Sequence, residues 1–300
     1  MGRTGGRSGR TGMMPARGRP AEHRAAGGAR SSFMGRPASA ECFDGKRVDS
    51  RTKIRLTHIG GPTLLLELGG RRFLTDPTFS PPGDYPSGAV VLTKLTPPAV
   101  APEVVGNVDA VLLTHDHHAD NLDPAGRDYL PNAGVVLTTK AGAERLGAPA
   151  VGLAPWEDHM VGGVRVTGLP ARHGPAGSEQ ILGDVIGFAL AEGEDDLVYI
   201  TGDTVFFDGV REVARRRNPG LVVAFAGAVR TRGPFDLTLD TNDVLELAHV
   251  FPHARIVVIH AEGWKHFTES FDDVERAFEA LNRGDRLVRL TPGVPQELEL

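Results

Sequence analysis

At 300 residues, 40% hydrophobic and 24% charged, the chain has an ordinary globular balance and enough length for a sizeable core. Its single cysteine, Cys42, excludes a disulfide framework and a thiolate metal cage, so any metal must be held by histidines and carboxylates. Residues 1–53 hold 12 Arg/Lys against 4 Asp/Glu and the remainder holds 21 against 34, and so acidic a body argues against a broad nucleic-acid-binding face.

Residues 1–52 read as a disordered Gly/Arg-rich leader, with a basic nucleic-acid arm or a transit peptide as the rival readings and Met34 as an alternative start. Nothing there has the apolar stretch of a secretory signal, and the longest apolar run of the chain, Leu221 to Val229, suits a buried strand rather than a membrane span. A cytoplasmic protein with no membrane partner is expected. Residues 53–300 then read as one domain. Ile54–Ile59 and Thr63–Leu68 alternate like strands, and Gly69-Gly70 before Arg71–Thr75 signals a tight hairpin. Pro77 to Pro102 is expected to be a long irregular stretch framing a functional site. Val108–Thr114 is a buried strand that delivers a His-rich segment, and Asp123-Pro124 reads as the cap and first position of a helix.

Further along, Val135–Leu137, Val164–Leu169, Ile186–Ala191, Leu197–Thr201, Leu221–Phe225 and Ala254–Ile259 read as strands. Lys140–Leu146, Gly209–Arg217, Asn242–Val250 (capped by Asp240 or Thr241) and Phe271–Leu281 read as helices. Four of the apolar strands end in polar residues. Val111–Thr114 leads into His115-Asp116-His117-His118-Ala119-Asp120-Asn121, Val164–Leu169 to His173, Val198–Thr201 to Gly202-Asp203-Thr204, and Ile256–Ile259 to His260. Strand ends of one sheet converge on one pocket although distant in sequence, and imidazoles with carboxylates form a ligand set for Zn, Mn or Fe. A lone strand-end histidine is more often structural; four ends carrying His and Asp favour a metal site.

These residues carry a resemblance to the metallo-β-lactamase superfamily over about residues 54–300. Arg55 to Leu68 with Phe73-Leu74-Thr75-Asp76-Pro77 resembles the opening hairpin of its ascorbate-6-phosphate-lactonase-like branch of metal-dependent hydrolases. Ile200-Thr201-Gly202-Asp203-Thr204 resembles the bridging-aspartate turn, and His260 with Gly263-Trp264-Lys265-His266-Phe267 the last metal-binding loop. The resemblance implies an α+β fold, a four-layer αββα sandwich with one or two divalent metal ions at the sheet edge. The match departs at the signature His-x-His-x-Asp-His. Aligned on Asp120, it puts Asp116 and His118 at the early histidine positions and Asn121 at the last; begun at His115, it keeps His115 and His117 but meets Ala119 where the aspartate belongs. The first alignment is favoured, with His115 a ligand in place of Asp116 or a group behind the ligands, and His117 a bystander. An oxygen-richer donor set favours Mn or Fe relative to Zn, although Asn121 reads equally well as a turn residue.

The implied site has His118 and His173, with Asp116 or His115, on one metal, Asp120, His260 and Asn121 on the other, and Asp203 bridging. Its expected reaction is attack of a metal-activated water on a small-molecule lactone, ester or phosphodiester, with Asp120, Asp203 and His266 catalytic. Trp156, Trp264 and Phe267 read either as pocket walls or as core. His58 reads as packing, His249 and His253 as surface, and His159 as a loop residue. Two rival classes stand beside the hydrolase: an iron-dependent oxidoreductase on the same fold, and a metal-free binding protein on a decayed scaffold. Homo-oligomerisation is left open.

Overall fold

The computed structural model describes residues 52–300, so the leader expected over 1–52 falls, up to Arg51, outside the described residues. Among the described residues sixteen strands run in chain order: β1 (Lys53–Gly60), β2 (Thr63–Leu68), β3 (Arg71–Thr75), β4 (Gly83–Ser87), β5 (Val90–Lys94), β6 (Val108–Leu112), β7 (Ala133–Thr139) and β8 (Ala150–Leu153). They continue with β9 (Asp158–Val161), β10 (Val164–Pro170), β11 (Ile186–Glu192), β12 (Asp195–Ile200), β13 (Leu221–Phe225), β14 (Arg255–Ile259), β15 (Leu287–Val288) and β16 (Gln296–Glu299). The helices are α1 (Pro102–Val105), α2 (Pro124–Tyr129), α3 (Lys140–Leu146), α4 (Glu179–Leu182), α5 (Asp208–Arg216), α6 (Thr241–Val250) and α7 (Phe271–Ala280).

Two seven-stranded sheets result, in the orders β16-β1-β2-β3-β6-β7-β8 and β15-β14-β13-β12-β11-β10-β9. Strand alternation decides what each face meets. Leu221, Val223 and Phe225 of β13 point between the sheets with Leu56, Leu66, Phe73 and Phe188, while Val222 and Ala224 face the helices. Val210 and Val213 of α5, Val244 and Leu247 of α6, and Val274 and Phe278 of α7 cover that outer face. On the other sheet Leu65, Leu74 and Val111 face outward onto Tyr129 and Leu130. Helix, sheet, sheet, helix is the α+β sandwich that the resemblance implied.

The opening hairpins form as the sequence predicts, with Gly69 and Gly70 both at positive φ (58° and 69°), as a two-residue turn between twisted strands requires. The irregular stretch expected from Pro77 to Pro102 departs from that reading, because β4 and β5 pair within it as a separate antiparallel hairpin. Pro86 is tolerated there because a two-stranded ribbon has only edges. The hairpin is tied to the start of α2: Lys94 Nζ lies 3.0 Å from Asp123 Oδ2, both groups buried. Asp123 also accepts from the backbone N–H of Phe79, Ser80 and Gly126. Gly126 has no alternative, since a Cβ there would sit 1.8 Å from the Pro77 carbonyl oxygen. His159, expected in a loop, lies on edge strand β9.

Candidate metal centre

The C-terminal ends of β6, β10, β12 and β14 open at one edge of the sandwich, where two backbone hydrogen bonds stitch the sheets together. Ile186 N–H donates to the Thr114 carbonyl at 3.1 Å, and His260 N–H to the Gly61 carbonyl at 2.9 Å. His260 holds φ 57°, an uncommon left-handed conformation for a histidine, and that second bond fixes it. Gly202 holds φ 63°, and a Cβ there would meet the Ile186 carbonyl oxygen at 2.8 Å and the Thr114 side chain at 2.9 Å. Only glycine lets the chain turn there and present Asp203.

Asp203 stands at the centre, 1% exposed. Its Oδ2 is 4.0 Å from His115 Nε2 and 3.8 Å from His173 Nε2, and its Oδ1 is 3.7 Å from His260 Nδ1. Asp120 Oδ2 lies 3.6 Å from His260 Nε2 and 2.8 Å from His266 Nε2. His118 Nδ1 is 2.9 Å from His115 Nε2. His115, His118, Asp120, His173, Asp203, His260 and His266 thus form one continuous cluster. Two expected members turn elsewhere. Asp116 takes hydrogen bonds from Arg145, including Nε to Oδ2 at 2.9 Å. Burial alone would raise its carboxyl, but those bonds hold it well below the usual range. Asn121 donates its amide to Asp76 Oδ2 at 3.0 Å, leaving its Oδ1 buried without a partner. His117 is bonded to the Leu182 carbonyl.

The tautomers follow from second partners. His173 Nδ1 donates to the Leu237 carbonyl at 2.7 Å, which leaves the Nε2 lone pair facing Asp203. The Thr114 hydroxyl donates to Asp76 Oδ2 at 2.6 Å and so accepts from His115 Nδ1 at 3.0 Å, which leaves Nε2 unprotonated and accepting from His118 Nδ1 at 2.9 Å. Burial foremost pushes His115 well below its ordinary value, His118 down to about 3 with His173 and then Arg232 among the groups adding to it, and His173 down as well. All three rings are therefore neutral near pH 7. Burial would also lower His260, but Asp203 and Asp120 outweigh it and raise that ring to about 9. Burial pushes the Asp76 carboxyl up to about 7 against its bonds from Thr114 and Asn121.

This donor set fits a divalent ion. Ligands about 2.1 Å from a tetrahedral metal lie about 3.4 Å from one another, close to the spacings around Asp203. Asp203 Oδ1, Asp120 Oδ1 and His260 Nε2 are buried without hydrogen-bond partners, each a cost unless an ion or another group completes it. Ligand atoms of His115, His173 and Asp203 lie within 4.8 Å of one another, as do those of His115, His117 and His118.

The hairpin β4–β5 roofs the site. A narrow cleft of about 20 Å³, room for about one water, is lined by Ser87, Val90, His118, Asp120, Arg232 and His266, among others. A separate cavity of about 350 Å³ shares His173 with it, whereas one of about 660 Å³ at Asn107, Pro131 and His159 touches none of these residues. Of the aromatic residues expected as walls, Phe267 packs against His260 and His266, and buried Trp264 lies tilted against His266. Trp156 instead packs under Arg216 in the outer helical layer. His249 and His253 are exposed, and His58 is buried against Gly61 and Glu262. Arg145, Arg232 and Ser87 escaped sequence reasoning. Arg232 had a signal, since it follows the buried strand Leu221–Phe225 just as the ligands follow theirs.

Fold and site together define a metal-dependent hydrolase of the metallo-β-lactamase fold. The chain belongs to the beta-lactamase superfamily domain family, whose model matches residues 71–261. It is 24% identical over 233 residues to UPF0173 protein YddR of Bacillus subtilis, covering 74% of this chain and 91% of that protein. It is 28% identical over 210 residues to a UPF0173 metal-dependent hydrolase of Rubrobacter xylanophilus, covering 66% and 80%. Among solved structures, isothiocyanate hydrolase from Delia radicum gut bacteria superposes with a TM-score of 0.72 at 24% identity, over 82% of this chain and all of that one. Among the described residues no helix is long and apolar enough to cross a membrane.

Proposed function

We propose that this hydrolase acts on a small-molecule lactone, ester or phosphodiester, the chemistry of the ascorbate-6-phosphate-lactonase-like branch, at the cluster centred on Asp203. The observation that carries the reading is Asp203 itself: a buried carboxylate facing His115, His173 and His260, each delivered by a different strand end, with one oxygen left unpartnered. His115, His118, His173 and Asp203 would hold one Zn, Mn or Fe ion, and Asp120, Asp203 and His260 a second. The buried Oδ1 is the atom Asn121 has to offer, and Asp116 serves through its pair with Arg145 rather than as a donor. When bound, such ions supply Lewis-acid polarisation of the scissile group and a nucleophilic water at neutral pH. Asp120 Oδ2 accepts from His266 Nε2, which holds that ring with Nδ1 free. His266 Nδ1, bare in the neutral ring, would take up a proton there before passing one to the leaving group.

The test is metal analysis of the purified protein with hydrolysis of a panel of lactones, carboxyl esters and phosphodiesters, adding Zn²⁺, Mn²⁺ and Fe²⁺ separately. Metal-dependent turnover of one class, abolished in Asp203→Ala, is the expected result. Protein that takes up metal yet hydrolyses none of the panel, while consuming oxygen with a thiol, would overturn it.

A further inference from the structure

Arg232 is a cation without a partner in a site otherwise built of donors for a metal. It lines the cleft together with His118, Asp120, His173 and His266. Its neighbours in sequence and in the site are paired: Arg230 grips Asp236 through two hydrogen bonds, Nε to Oδ1 at 2.6 Å and Nη2 to Oδ2 at 3.2 Å. Arg145 is bound to Asp116. Arg232 joins no such pair among the described residues, and its Nε is buried with no hydrogen-bond acceptor. A buried guanidinium N–H lacking an acceptor is costly.

The segment carrying it is braced rather than loose. The Arg230–Asp236 pair closes the turn, and just outside it, at the base, Leu237 N–H donates to the Val229 carbonyl at 2.8 Å. Gly233, at φ 158°, lies under the Phe235 ring, where a Cβ would come within 2.6 Å of it. On the opposite side the guanidinium faces the hairpin turn at Gly88, where a Cβ would stand 3.5 Å from Nη2. The loop therefore holds a planar fork of N–H donors over a cleft whose floor is the metal centre.

The geometry points to Arg232 as the residue that binds an anionic group of the substrate, a carboxylate or a phosphate, while the scissile bond lies over the Asp203 cluster. This rests on the hydrolase reading and narrows it to substrates that carry a negative charge beside the bond to be cleaved. A guanidinium presents two parallel donors to an oxyanion, a match that an ammonium cannot reproduce. Val90 and Val229, which line the same cleft, offer apolar surface to the remainder of a small molecule.

Two measurements on the full chain test it, on wild type, Arg232→Ala and Arg232→Lys with equal metal content. The first is calorimetric titration with inorganic phosphate and, separately, acetate. Wild type should bind at least one of them about tenfold or more tightly than Arg232→Ala, with Arg232→Lys between. Greater loss for phosphate assigns a phosphoryl substrate, and greater loss for acetate a carboxylate. The second is hydrolysis of paired esters, identical but for an anionic or a neutral arm. The fall in kcat/KM on Arg232→Ala should be about tenfold larger for the anionic member. Equal affinity of wild type and both variants for both anions overturns the assignment, as does an equal fall for the two esters. If no ester or lactone is turned over, the hydrolase reading fails while the anion titration still decides the role of Arg232. Should Arg232→Ala not fold, Arg232→Lys against wild type carries the comparison.

Discussion

Asp203 and Thr114 act at the scale of single atoms. Without an ion, Asp203 is a buried carboxylate whose Oδ1 has no hydrogen-bond partner, and the cost of burying it offsets much of what its charge contributes beside His260. Asp203→Ala should therefore lower turnover by about 100-fold or more while the metal-free protein melts no earlier than wild type. Activity assays beside thermal melts in chelator check this, and a variant with wild-type turnover would remove Asp203 from the mechanism. Thr114 works one shell out. Its hydroxyl is locked to Asp76 and so fixes the proton of His115 on Nδ1. Thr114→Val keeps the shape but frees the ring to adopt the other tautomer, and metal affinity should fall about 10- to 100-fold, read by competition with a chromophoric chelator.

At the scale of elements, how each strand ends matters more than how it runs. The apolar runs Val108–Thr114, Val164–Leu169 and Leu221–Phe225 announce their strands because burial on both faces leaves little room for polar residues. The convergence of His173, Asp203 and His260 was legible for the same reason: each stands just past such a run. What was hidden is the direction in which side chains point inside the segment 115–121. The favoured alignment put Asp116 at a ligand position with His115 as its alternative, and Arg145, 29 residues on in α3, draws Asp116 aside. No local pattern encodes that partner. Short edge strands such as β8, β9 and β16 were also hidden, since pairing rather than periodicity makes them. The turn Thr201–Asp203 permits a sharp test. Gly202→Ala places a methyl against the Ile186 carbonyl and Thr114 at positive φ, so it should cost about 1–3 kcal/mol in denaturant unfolding and depress turnover through Asp203. Helix α6 offers another. Asp243 in its first turn is raised to about 6, mainly by burial. Its folded pKa exceeds the unfolded value of 3.8, so the native state binds the extra proton between them and stability falls as pH rises from about 4 through about 6. Asp243→Asn retains an acceptor for Phe206 N–H without that titration, and should gain on wild type between pH 4 and 7 in urea midpoints.

For the whole molecule, the centre is where the two sheets touch through Ile186–Thr114 and His260–Gly61, so its occupancy bears on the stability of the sandwich as a unit. Two buried carboxylates and a ring raised to about 9 by them make the sheet edge a place that draws positive charge. A ligand that binds only the folded state at about 1,000 times its Kd stabilises by about 4 kcal/mol. In a domain of this size each kcal/mol moves the melting temperature by about 2–4 °C, so dialysis against a chelator should lower Tm by about 8–16 °C. Adding back the ion that supports turnover should restore it. Chelators also act on unfolded chains and on weak surface ions, and Asp203→Ala separates these contributions, because its Tm should respond to the same treatment far less. Scanning calorimetry with metal content measured on each sample decides the point. A wild-type Tm that stays fixed while bound metal falls to near zero would mean that the sheets hold this edge together without help, and that the buried donors of Asp120, Asp203 and His260 are satisfied in some other way.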